Sequence, residues 1–192
     1  MSYHVYQTKG FVLGSAPLGE AHKSYTVYTR DMGLIFASAQ GIRLTQSKLR
    51  YSIDDYKLTL FALVRGREVW RITNAREGEG SPLSGKRLVL FARAASLVRR
   101  LLHGEEKNEY LFDSLESLYL YLSQTAVSSQ NLSTLEILVV LRCLYALGYV
   151  NGSVFEEYVS TTLIDESLLD SFSSHKKQAV SAINKALEES HL

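Results

Sequence analysis

Lys23, Arg30, Arg43, Lys48, Arg50, Arg65 and Arg67 fall at turns and connecting segments, with Tyr25, Tyr28, Phe36, Tyr51 and Tyr56 interleaved among them. Long cations among flat rings suit one chemistry: neutralising a polyanion while stacking on its planar groups. Stacking contributes roughly 1–3 kcal/mol per base, and each phosphate contact adds a salt-dependent increment. Two plainer demands compete. Alternate aromatics must fill a core, so at least half of these rings are expected inside, and cations also serve as ordinary solvated surface. A second basic strip comprises Arg93, Arg100 and Lys107 at seven-residue spacing, with Arg99 alongside. On a helix over 86–103 it lies opposite the apolar stripe. It suits a nucleic-acid track, a grip on an acidic peptide, or solubility alone.

Bond-making chemistry finds no support. There is no G-x-x-x-x-G-K-[ST] loop and no G-x-S-x-G elbow. The pairs Asp54-Asp55, Glu105-Glu106, Glu156-Glu157 and Glu188-Glu189 sit in polar settings. His4, His22, His103, His175 and His191 are scattered without ligand spacing. No enzyme activity, catalytic residue, metal or cofactor is therefore expected. The single cysteine, Cys143, lies in an apolar run and reads as packing, in a chain that cannot form an internal disulfide and suits a reducing cytosol. Arg142, in the same run, needs a carboxylate or carbonyl partner. It either pairs internally or seats a partner's carboxylate. The start, MSYHVYQTKG, lacks a signal-peptide pattern, and the longest apolar run is short of the ~20 residues that span a bilayer. A soluble, cytoplasmic protein is expected.

These residues must be positioned by two kinds of element. Period-2 patterns predict strands over 5–13, Ser24–Arg30, Leu34–Ala39, Tyr56–Val64 and Glu68–Thr73. Asp31-Met32-Gly33 and Arg65-Gly66-Arg67 turn two hairpins. Gly14 to Lys23 reads as a loop, and Ile42–Asp55 has room for a short helix over a barrel end. Residues 74–85, NAREGEGSPLSG, read as a joint. The period then becomes 3.6: Leu90, Ala94, Leu97, Val98 and Leu101 share one face, and Leu111, Leu115, Leu118 and Leu122 another. Ser133-Thr134-Leu135-Glu136 is a capping-box pattern opening a third helix that Gly148 ends. Short helices are predicted at Phe155–Ser160 and Glu166–Phe172. A last one spans His175 to Glu189, with Val180, Ile183 and Leu187 inward. The fold class is α+β in two parts: an OB-type β-barrel over 1–78, then an α-helical bundle over 79–192.

The net charge of +1 hides a division. Residues 1–107 carry 17 Lys and Arg against 9 Asp and Glu, a net +8. Residues 108–192 carry 4 against 11, a net −7. A basic front half favours an anionic polymer.

The ordered set Gly10-Phe11-Val12-Leu13, Leu18-Gly19-Glu20-Ala21, Thr29-Arg30-Asp31-Met32-Gly33-Leu34-Ile35, Ala39-Gln40-Gly41-Ile42-Arg43 and Ser47-Lys48-Leu49-Arg50 resembles the N-terminal domain of the RecO family of bacterial recombination mediators. The resemblance covers about residues 5–75. It implies DNA repair by recombination: binding of single- and double-stranded DNA without sequence preference, annealing of complementary strands, and help in loading RecA onto DNA coated by single-strand-binding protein (SSB). It also implies RecR as a partner, an SSB C-terminal tail docked on the helical part, and a place at the bacterial nucleoid. The expected DNA-binding residues are Lys23, Arg30, Arg43, Lys48, Arg50, Arg65, Arg67, Arg93 and Arg100. The chain departs from the family pattern at Gln40 and Leu44, where Lys and Arg are usual. NGSVFEEYVS, after Gly148-Tyr149, has no cysteine where many members carry a four-cysteine zinc site, so a shortened, zinc-free member is expected. These departures motivate an alternative: an OB-fold interaction adaptor that has lost DNA binding.

Overall fold

Five strands build the first part of the computed structural model, which describes residues 4–124 and 127–189. They are β1 (Val5–Leu18), β2 (His22–Thr29), β3 (Gly33–Ala39), β4 (Leu58–Arg65) and β5 (Trp70–Glu77). The barrel closes in the order β1-β2-β3-β5-β4, antiparallel except at β3–β5. That parallel seam consists of Ala37 opposite Trp70 and Ser38 opposite Arg71. This is the five-stranded OB fold, followed by helices as expected. Val12, Val27, Ile35, Phe61, Leu63 and Ile72 fill the interior, and Ile42 and Ile53 join them from the connection between β3 and β4. That connection holds a single 3-10 turn, Lys48–Tyr51.

Local composition misplaces three boundaries. The expected Gly14–Lys23 loop shrinks to a turn over Gly19–Ala21: β1 bends at a register shift near Gly14 and stays paired, Ser15 with Tyr25 through Leu18 with His22. Main-chain pairing with β2 overrides the turn-forming character of Gly14 and Pro17. The joint starts later than 74, because β5 continues through Glu77. A register shift between Ala62 and Leu63 restores pairing beyond Thr73 and places Ala75 inside the barrel. β4 begins at Leu58 rather than Tyr56, which has positive φ and whose N–H donates to the Val12 carbonyl.

Residues 99–109 belong to the same compact unit as residues 4–82. Beyond residue 101 they form an extended strap, fastened to the barrel at several points. The Tyr28 hydroxyl donates to the Asn108 carbonyl at 3.1 Å. Arg30 faces the Glu109 carboxylate at 3.7 Å, and Arg65 pairs with Glu105. The strap backbone at Glu106 lies directly over Gly33, where φ is +68° and a Cβ would collide with the Glu106 main chain. Only glycine satisfies both the left-handed turn and that approach.

The second unit comprises residues 83–98, 110–124 and 127–189. Its helices are α1 (Gly85–Leu101, whose last residues belong to the barrel unit), α2 (Glu109–Ser123), α3 (Ser129–Ala146), α4 (Glu156–Val159), α5 (Glu166–Ser173) and α6 (Lys176–Glu189). The expected apolar faces of α1 and α2 are buried, with Leu97 half-buried. α3 packs against α4, α5 and α6. It starts earlier than the Ser133 pattern implies, because Ser128 caps it by accepting from the Asn131 N–H at 3.1 Å. Gly148 (φ +79°) ends it. Its N–H reaches the Tyr145 carbonyl, and that of Tyr149 reaches Leu144, as in a Schellman motif. In α6 the buried positions are Ala179, Ile183 and Ala186, while Val180 is exposed and Leu187 half-buried. The small alanines, rather than the larger aliphatics, occupy the tightest positions of that face.

Arg142 is fully buried, and its partners are carbonyls. Nε donates to Tyr158 at 2.9 Å, Nη1 to Thr162 at 2.9 Å and Nη2 to Leu163 at 3.1 Å. Burial lowers its pKa to about 10, so the charge persists at neutral pH. One side chain thus ties the irregular 158–163 stretch to α3. The neighbouring Cys143 thiol is buried, and burial pushes its pKa up to about 12.

Gly33→Ala is expected to destabilise the protein by about 2 kcal/mol or more, read as a lowered urea midpoint. Arg142→Leu leaves three carbonyls without donors and is expected to cost about 3 kcal/mol in the same measurement.

Candidate nucleic-acid interface

Near the end of β3, six of the barrel's cations line two hollows. Lys23, Arg43 and Arg50 line one of about 320 Å³, together with Tyr25, Ile42, Ile53 and Asp54. Arg65, Arg67 and Arg71 line another of about 700 Å³, with Ser38, Gln40 and Glu68. Ser38 and Gln40 face the larger hollow, Ile42 and Arg43 the smaller, so the chain leaving β3 runs between them.

The local chain path fixes this arrangement. Lys23 sits opposite Ala39 in the β2–β3 pairing. Arg43 is stapled to the β1–β2 turn: its N–H donates to Ala21, and its Nη1 donates to Gly19 at 2.8 Å. The Gly41 N–H reaches His22 Nδ1 at 2.9 Å. Arg50 lies over the Tyr51 ring, 5.2 Å from its centroid. Lys48 is exposed on the 3-10 turn but lines neither hollow.

Several expected cations are already engaged. Arg30 faces Glu109, which also accepts from Lys107 at 2.5 Å; that hydrogen bond raises the Lys107 pKa. Arg65 pairs with Glu105. Arg93 belongs to the helical unit and pairs with Glu136 at 3.0 Å. Arg100 is exposed in the last turn of α1. The basic strip stops there: α1 ends at Leu101, and Lys107 lies in the strap.

Of the aromatics, Tyr25 and Tyr28 are buried and Tyr56 is half-buried, while Phe36 is 61% and Tyr51 70% exposed. Phe36 stands opposite Thr26 and shares the outward face of β3 with Ser38. An exposed ring therefore stands two residues along β3 from Ser38, which lines the larger hollow. Arg71 is a cation missing from the expected set. Its signal was the alternation of β5, which turns it outward beside the basic Arg65-Gly66-Arg67 turn. The engagement of Arg65 by Glu105 bridges forty residues and leaves no local trace in sequence.

Among the described residues, no three His, Cys, Asp or Glu side chains gather as a metal ion would require; His191 lies outside those residues. Among them, too, no helix is long and apolar enough to cross a membrane.

Residues 1–77 match the family model for Recombination protein O N terminal. The chain is 38% identical over 71 residues to a DNA repair protein RecO of Rubrobacter xylanophilus, covering 37% of this chain and 29% of that protein. It is 32% identical over 111 residues to the RecO of Pelotomaculum thermopropionicum, covering 56% and 43%. It is 40% identical over 67 residues to that of a Synechococcus species, covering 35% and 24%. The chain thus spans less than half the length of these curated relatives.

Tyr25 edges the smaller hollow. Burial, then Asp55 and Asp54, push its phenol up to about 12. The folded state holds this proton more tightly than the unfolded chain, whose tyrosines ionise near ~10. Its contribution to stability is whole below pH ~10 and is lost as pH rises through about 12. Denaturant melts across that range are expected to show a smaller decline for Tyr25→Phe than for the unsubstituted protein.

Proposed function

We propose, from the match of residues 1–77 to the family model for Recombination protein O N terminal, that this protein is a DNA-binding recombination mediator acting in DNA repair. The observation that carries the reading is the pair of cationic hollows flanking the end of β3, with Phe36 exposed on the same strand. The cations neutralise phosphates and release counterions, while exposed rings stack on bases whatever their sequence. Both effects are sequence-blind, which suits binding of single- and double-stranded DNA without preference.

Annealing follows from the same surface. A cationic barrel that screens repulsion between two strands while leaving base edges free lets them pair. No bond is made or broken, so the protein acts without a catalytic residue, metal or cofactor. Within this reading the partners are DNA, RecR and the SSB C-terminal tail, with RecA assisted indirectly, in the cytoplasm at the nucleoid. The net −7 of residues 108–192 requires that an acidic tail be held in a local pocket rather than on a broad basic face.

A second reading, an OB-fold adaptor without DNA binding, is favoured by Gln40 and Leu44 and by the pairing of Arg30, Arg65 and Arg93 with carboxylates. Anisotropy of a labelled single-stranded oligonucleotide separates the two. The mediator reading expects affinity to fall log-linearly with salt, and Arg43→Glu with Lys48→Glu to weaken binding about tenfold or more with circular dichroism unchanged. Absence of binding at low salt favours the adaptor.

A further inference from the structure

The Arg65 guanidinium lies over the Trp70 ring, 4.7 Å from its centroid. Both side chains donate to one carboxylate, that of Glu105: Arg65 Nη1 pairs with Oε2, and the indole N–H reaches Oε1 at 3.0 Å. Trp70 is buried and met edge-on by Tyr6, 5.2 Å between centroids, so its donor is fixed in place. Two preorganised donors on the barrel therefore converge on a single oxyanion, supplied by the chain's own strap.

That oxyanion is replaceable. The Glu105 side chain is 40% exposed and that of Arg65 53%, and pairs this open to water hold weakly. A phosphodiester offers matching chemistry: two terminal oxygens sharing one negative charge, suited to a planar guanidinium fork. Arg67 and Arg71 line the same hollow as Arg65 and have no ion pair among the described residues; Glu68 is the acid there. The surroundings thus favour a longer anion over an isolated carboxylate.

We propose that Arg65 and Trp70 form a phosphate seat for a nucleic-acid strand, occupied by Glu105 until a strand displaces it. This rests on the DNA-binding reading above. The arriving phosphate competes with a tethered carboxylate at high effective concentration. Displacement then exchanges one anion for another at Arg65, and the unoccupied seat of a Glu105 variant gains one phosphate contact outright.

Anisotropy titrations of a fluorescein-labelled oligothymidylate over a range of salt test this, using unsubstituted protein, Glu105→Gln, Glu106→Gln, Arg65→Ala and the double variant Arg65→Ala/Glu105→Gln. Glu105→Gln is expected to bind about two- to fivefold tighter, with a salt slope steeper by about 0.7. Glu106→Gln removes the same charge from the adjoining strap position and is expected to gain clearly less. In the Arg65→Ala background, Glu105→Gln is expected to gain nothing. Glu105→Ala provides a second replacement expected to act in the same direction, with thermal melts establishing that each variant folds. Binding by the unsubstituted protein with no gain in Glu105→Gln, or a gain that survives Arg65→Ala, overturns the seat and leaves the mediator reading standing. No binding by either protein at low salt removes both.

Discussion

Closure of the barrel rests on a short contact. Four of the five strand interfaces are antiparallel ladders, but the ring is completed by the parallel meeting of Ala37 with Trp70 and Ser38 with Arg71. Side-chain size makes this meeting possible. Ala37 points inward at the seam, leaving room for the buried Trp70 across from it. One residue later the pleat turns Ser38 and Arg71 outward. The same two pairs that seal the apolar interior therefore place a cation and a small hydroxyl on the surface. Trp70, pinned inside by the closure, offers its indole N–H to Glu105. The seam is structural on one face and chemical on the other.

The barrel was legible where alternation was strong. The runs Ser24–Arg30 and Leu34–Ala39 read as strands, and β2 and β3 stand there, joined by the turn at Asp31-Met32-Gly33. It was less legible where pairing overrode composition. Gly14 and Pro17 spell a loop, yet a bend at Gly14 and a continuing ladder with β2 keep the chain extended. Asn74 to Glu77 look like linker until the irregularity opposite Ala62 restores their pairing with β4. Residue propensities act over a few neighbours, whereas both outcomes depend on a partner strand elsewhere in the chain.

The candidate interface divides in the same way. Lys23, Arg43 and Arg50 cluster because β2 and the segment after β3 are tied together by Gly41, Arg43 and the β1–β2 turn. Their common location could be anticipated from position at turns. The engagement of Arg30 and Arg65 could not, because their carboxylate partners lie in a strap distant in sequence. Arg142 had a partner foreseeable by type, since a buried guanidinium requires acceptors. Its acceptors proved to be three main-chain carbonyls, whose identities depend on the path of residues 158–163.

A ring of strands has few places where another chain can join by backbone pairing. β1 passes from one neighbour to the other along its length: Val5 to Phe11 pair with β4, Gly10 onward pairs with β2, and Gly14 to Leu18 pair with β2 alone. Among the described residues no strand pairs with the outer margin of that ribbon, the kind of template on which proteins stick together. Pro17 stands on it without an N–H to offer, interrupting the row of donors there. The residue that made this stretch look like a loop in sequence thus protects the barrel from extension by a stray strand, and leaves recognition to side chains.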